Sequence, residues 1–212
     1  MTARTSARDA TTAPPPSEPG DGSPPESGAR ARTRRAILDA AVTVLSTDKS
    51  ASLGDVAQAA QVGRTTLHRY FPERADLVDA IGAEAVERTR AAIAAARLDD
   101  GSPAAALRRL AFEYFDLGPW YMVLFNELAG GEPEFWAESD AAEEPVRELL
   151  RRGQADGVFD DQLSVSWLVR TLWWMLFNAW AMHDEGEVSR ADALRMAVRS
   201  IEGVALAREG RP

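Results

Sequence analysis

The stretch SLGDVAQAAQVGRTTLHRYFPERADLV, residues 52–78, decides the fold. Two short helices that cross closely need an apolar residue and then a small one at the crossing, a tight turn, and two apolar anchors on the second helix. Val56 and Ala57 supply the first pair, Gln61, Val62 and Gly63 the turn, and Leu67 with Tyr70 or Phe71 the anchors. Ser52, with Asp55 three residues on, is a capping pattern that starts the first of these helices. The second is predicted over about Arg64 to Phe71. Together they form a helix-turn-helix.

Working outward, the apolar spacing stays helical on both sides. Ile37, Ala40, Ala41, Val44 and Leu45 fall on one face of a helix that begins near Thr33. A long, alanine-rich helix is predicted from Pro72 to Leu98, with the proline where a helix start tolerates it. Further helices are predicted from Ser102-Pro103 to Phe115, from Trp120 to Ala129 before Gly130-Gly131, from Glu143 to Gly157, over Leu163 to Met182, and from Ser189 to Arg208. No run of alternating β-branched residues competes, so the chain is predicted to be all-α, with about nine helices. Residues 1–29 hold half of the 12 prolines and no apolar period, which predicts a disordered tail with neither a signal peptide nor a membrane anchor. The predicted division is a tail over 1–29, a helix-turn-helix domain over 30–78 and a helical body over 79–212.

Leu163 to Met182 carries a single charge, Arg170, and is long enough to span a bilayer. Arg170 near its middle, and Trp167, Trp173 and Trp174 inward of its ends, argue against insertion. A helix apolar all round also fits between the core and a second copy of the chain, and the last helix offers Ala193, Ala197, Ser200 and Ala207 for close approach. Charge narrows the partners further. The chain carries −9 overall, but residues 31–82 carry +1 while residues 83–212 carry −9, so any nucleic-acid contact must be local to the first helices. The absence of cysteine excludes disulfides, thiolate metal sites and cysteine nucleophiles, and fits a cytoplasmic setting. With only His68 and His183, neither a histidine metal site nor a Ser-His-Asp triad can be assembled, the Glu143-Glu144 pair reads as helix capping, and no enzyme or cofactor is expected.

Residues 52–78 resemble the DNA-binding module of the tetracycline-repressor-like (TetR) family of transcriptional regulators. That family shows an Ala-Gly-Val-Ser turn, a Thr-Leu-Tyr-x-His-Phe stretch and a Pro-x-Lys start to the next helix. Here the matching stretches are Gln61-Val62-Gly63, Thr66-Leu67-His68-Arg69-Tyr70-Phe71 and Pro72-Glu73-Arg74. RRGQADGVF at 151–159 is similar to the family's link into its last two helices. Gln61 departs from the family's turn glycine, and a side chain held there at positive φ costs on the order of 1 kcal/mol. His68 and Tyr70 exchange the usual order of Tyr and His.

The resemblance implies a homodimeric repressor that reads a palindromic double-stranded operator and responds to a small molecule. Arg64, Thr65, Thr66 and His68 would then face base edges, Arg64 reading guanine. Arg69, Tyr70, Ser52 and the Arg32-Thr33-Arg34-Arg35 cluster would grip phosphates. Arg74, a cation in the first turn of a helix, opposes the dipole and so suggests an external anion. For the cluster at 32–35 a solvated helix start, and for His68 a packing role, remain open. A small hydrophobic or aromatic ligand would sit among Tyr114, Trp120, Tyr121, Phe125, Phe135, Trp136, Trp173, Trp174, Phe177 and Trp180, with Glu127, Asn178 and Arg170 supplying polar groups. Core packing is the competing role for these rings. The competing function is a small-molecule-binding or scaffold protein that has lost specific DNA binding.

Overall fold

A computed structural model describes residues 28–127 and 133–207, and the expectations for 1–27, Gly130-Gly131 and Arg208 lie outside it. Ten helices are present among the described residues: α1 (Gly28–Thr47), α2 (Leu53–Ala59), α3 (Arg64–Tyr70), α4 (Arg74–Ala96), α5 (Pro103–Phe115), α6 (Gly118–Glu127), α7 (Pro133–Ala142), α8 (Glu144–Ala155), α9 (Val165–Asp184) and α10 (Arg190–Ala205). The tenth is α7, which follows the Gly-Gly break and opens on Pro133, a residue suited to the first helical turn. One antiparallel bridge, Phe159 to Leu206, ties the α8–α9 connection to the end of α10.

The N-terminal helices form as their caps dictate. Ser52 accepts a hydrogen bond from the Asp55 N–H, and the Asp55 carboxylate accepts from the Ser52 N–H at 2.8 Å, closing the box at the start of α2. Gln61 sits at φ 55°, in the left-handed region expected of the turn glycine. Gln61→Gly is therefore expected to raise the melting temperature by about 2 °C, strain relief slightly outweighing the added freedom of the unfolded chain. A fall on melting by circular dichroism would contradict this. Phe71 is extended at φ −139°, ψ 88°, as the residue before a proline should be, so α4 starts at Arg74, two residues beyond the predicted Pro72. Val56, Ala57, Leu67 and Phe71 are buried as read, but the core face of α1 is turned. Leu38 and Val42 are buried beside Ile37, Ala41 and Leu45, while Ala40 and Val44 are only half-buried.

A single apolar core runs from Ile37 in α1 to Ala205 in α10. Within it α4 packs on α1, α5, α6 and α7, so the predicted 78/79 division falls inside a helix in contact with both halves. α10 packs on α9 and α5, and Ala193 and Ala197 are buried within the chain, leaving Ser200 and Ala207 exposed. No helix among the described residues is long and apolar enough to cross a membrane, which agrees with the reading of Leu163 to Met182.

Candidate nucleic-acid interface and ligand pocket

Arg64, Thr65, His68 and Arg69 are exposed along α3, and Thr66 and Tyr70 are half-buried. The Arg64 guanidinium lies across the start of α2, 3.3 Å from where a Cβ on Gly54 would stand, and it helps the Ser52 hydrogen bonds hold the Asp55 carboxyl low. Its side chain is thus parked at the rim of α3. Tyr70 donates to the Arg30 carbonyl at 3.4 Å, and its ring lies 5.8 Å from the Arg30 and 5.9 Å from the Arg69 guanidinium. Arg34 stands 5.8 Å over Phe71, Thr33 donates to the Ala29 carbonyl at 3.0 Å, and Arg32 is exposed. Basic groups therefore converge on the outer edge of α3 from α1. Arg30 joins this set and was not singled out, because α1 begins five residues before the predicted Thr33. Ser52 is exposed, but its hydroxyl is committed to Asp55, donating at 2.7 Å.

Arg74 does not match the expected external anion. Its Nε and Nη2 donate to the two carboxylate oxygens of Glu127, at 2.9 and 2.7 Å, and Nη1 and Nη2 donate to the carbonyls of Ala51 and Lys49 at 2.6 and 3.0 Å. The counter-ion lies at the end of α6, which also removes Glu127 from the predicted ligand groups.

A cavity of about 460 Å³ opens between α5, α6, α7, α8 and α9, within the usual range for small-molecule sites. Tyr121, Phe125, Trp173, Trp174, Phe177, Tyr114 and Arg170 line it as read, and so do Ser139, Asp140, Glu143 and Arg147, which were not expected there. Trp120 is corrected: it is buried outside the cavity beneath Arg88, whose guanidinium is 4.0 Å from its ring. Phe135 is corrected too: it lies 3.2 Å from where a Cβ on Gly82 would stand and 6.5 Å from the Tyr121 ring, and it does not line the cavity. The side chain of Trp136 lies outside the described residues. Trp180 backs the wall against Gly118, whose missing Cβ leaves room for the indole, and Asn178 faces solvent.

Two polar groups distinguish the cavity. Glu143 precedes α8 but does not cap it; the residue is 5% exposed, and its carboxylate accepts the Trp173 Nε1–H. Burial drives its pKa up to about 7, against the hydrogen bond from Trp173 and the pull of Arg147, with Asp140 adding a small push. Arg147 is itself tied to Asp140, donating to its carbonyl at 2.6 Å and to its carboxylate. Among the described residues the buried Tyr114 hydroxyl has no hydrogen-bond partner, whereas the Tyr121 hydroxyl meets Thr89 at 2.8 Å and Ser139 at 3.3 Å. No cluster of metal-ligating side chains occurs among the described residues.

Known proteins resemble this chain in sequence and in fold. The model of "Bacterial regulatory proteins, tetR family" matches residues 37–81, which span α1 to the first turns of α4. A curated relative is 42% identical over 149 residues, covering 70% of this chain and 77% of its own. The chain belongs to the tetR family and is a DNA-binding transcriptional regulator. That relative is the HTH-type transcriptional repressor LfrR of Mycolicibacterium smegmatis. The crystal structure of the TetR-like regulator LfrR from Mycobacterium smegmatis in complex with proflavine superposes with a TM-score of 0.72 at 36% identity, covering 82% of this chain and 96% of that one. A TetR family regulator from Marinobacter aquaeolei VT8 shares the fold, with a TM-score of 0.65 at 18% identity over 84% of this chain and 97% of its own.

Proposed function

We propose that the chain is a homodimeric repressor whose two α3 helices read a palindromic operator, and that a flat aromatic cation in the α5–α9 cavity releases it. The buried Glu143 carboxylate carries the ligand half of this reading. Among the described residues its one hydrogen-bond donor is a neutral indole, and a carboxylate held in an aromatic cavity without a paired cation favours a cationic guest. Proflavine, the ligand in the relative's complex, is planar, aromatic and cationic at neutral pH. Trp167 on α9 and Met196 on α10, 59% and 41% exposed, support pairing with a second copy through these helices. Ligand binding would then shift the spacing of the two reading helices, lowering affinity by whatever the two conformations differ in ligand affinity.

The test is selection of sites from a random DNA pool, followed by titration with proflavine. A palindrome with half-sites about one turn apart, released by the dye, is the expected result; equal affinity for random duplex sinks the operator reading. Arg64→Ala is expected to lose about tenfold for the selected site and to relax preference at one base pair per half-site. A uniform loss across sequences, in competition binding, would instead place Arg64 on a phosphate.

A further inference from the structure

Beside Glu143 the cavity is lined by a ring of the chain itself, the Trp173 indole. The Trp173 indole stacks on Tyr114, with ring centres 4.7 Å apart and planes 22° apart, and lies against Tyr121 at 4.5 Å. Its Nε1–H is donated to Glu143. A flat aromatic body stacked on one tyrosine and tilted against another, with a donor edge on the buried carboxylate, describes the guest proposed above as well as it describes this side chain. Trp173 is only half-buried, and the space beside it is lined by the exposed rings of Phe125 and Trp174. The indole therefore has a way out toward the mouth of the cavity without unfolding the helix that carries it.

We propose that Trp173 is a built-in occupant of the inner slot, which a planar cationic ligand must expel to reach Glu143, so that this residue sets the ligand's affinity and the size of ring system the site accepts. The inference rests on the ligand reading given above. Two features favour displacement over stacking on a fixed indole. The carboxylate's one hydrogen bond among the described residues is the one from Trp173, so a cation gains most where that N–H now stands. Among the described residues the buried Tyr114 hydroxyl has no partner while the indole covers its ring, and a ligand bearing an amino group in the slot can supply one. An indole that occupies the slot about nine-tenths of the time weakens apparent affinity about tenfold, since only the open fraction binds.

The experiment is direct titration of the full chain with proflavine, for wild type, Trp173→Leu and Trp173→Phe, each checked by thermal melting. The Phe variant keeps a ring in the stack but removes the Nε1–H, so it stays informative where the Leu variant is poorly folded. Trp173→Leu is expected to bind about tenfold more tightly than wild type, and Trp173→Phe to fall between them. With 5-fluorotryptophan incorporated, the ¹⁹F resonance missing from both variants is expected to move toward a solvent-exposed position when proflavine is added to wild type. Weaker binding by both variants, with that resonance unmoved toward solvent, makes Trp173 a fixed wall and overturns the inference while leaving the ligand reading intact. Absence of proflavine binding by wild type and both variants overturns the ligand reading, and this inference with it.

Discussion

Glu143→Gln is expected to weaken proflavine binding about a hundredfold at pH 8, and to abolish the dependence of binding on pH. The glutamine keeps the shape and the hydrogen bond to Trp173 but removes the charge, and losing one partner of a buried, hydrogen-bonded charge pair typically costs about 2–5 kcal/mol. With the carboxyl titrating at about 7, wild-type affinity should fall up to tenfold per pH unit below that value and level off above it. The other charges around the site, Asp140 and Arg147 from the α7–α8 side and Arg170 from α9, form an ion pair and an exposed cation. Neither replaces the missing carboxylate. Equal affinity of the variant and wild type at pH 8 would remove Glu143 from the ligand's partners.

The same substitution carries a stability signature of definite sign. A carboxyl whose folded pKa is raised from 4.5 to about 7 binds its proton more tightly in the folded state, so its contribution is fully present below 4.5 and lost as pH rises through 7. By pH 8 the loss approaches about 3 kcal/mol, or roughly 6–12 °C of melting temperature for a chain of this size. Asp48, Asp55 and Asp192 are shifted the other way, below 3.8, so their contributions are complete well below this window. Ligand-free wild type should therefore melt lower at pH 8 than at pH 5.5. Glu143→Gln should flatten that difference, and proflavine should restore the wild-type melting temperature at pH 8. A wild-type melting temperature that rises between the two pH values would contradict the assignment.

Local chemistry was legible in the sequence wherever partner and effect lie within a few residues. The box of Ser52 with Asp55 follows from spacing, the left-handed turn at Gln61 follows from the turn glycine of the resembling family, and both are present. What failed was direction. Aromatic residues at helical spacing mark a packed face but not what lies opposite, so Trp120 and Phe135 read as ligand groups although one lies beneath Arg88 and the other against Gly82. Glu143 stood at a helix start, where an acidic residue ordinarily serves the dipole; only packing of α5 and α9 across it converts it into a buried acid.

Arg74 shows the same limit most directly, since the anion implied by its place in the first turn of α4 is Glu127, 53 residues away. Arg74→Ala is accordingly expected to leave the slope of log K against log salt for operator binding unchanged, where loss of a phosphate contact would flatten it by about one unit. Its effect should fall on stability instead. The substitution strands Glu127, whose side chain is 16% exposed, and removes donors from the Ala51 and Lys49 carbonyls; with Arg74 itself 35% exposed, about 2 kcal/mol is expected, below the figure for a fully buried pair. Glu127→Gln, which keeps the acceptor oxygen, should lose less, and a double-mutant cycle should return a favourable coupling between the two positions. The clasp also joins the α1–α2 loop, next to the reading helix pair, to the end of α6, whose Tyr121 and Phe125 line the cavity. Breaking it should therefore reduce the ratio of operator affinities measured without and with proflavine, because a shift of α6 then loses one of its holds on the helix-turn-helix. A salt slope flattened by one unit at unchanged stability would return Arg74 to the DNA backbone and take the clasp out of the coupling.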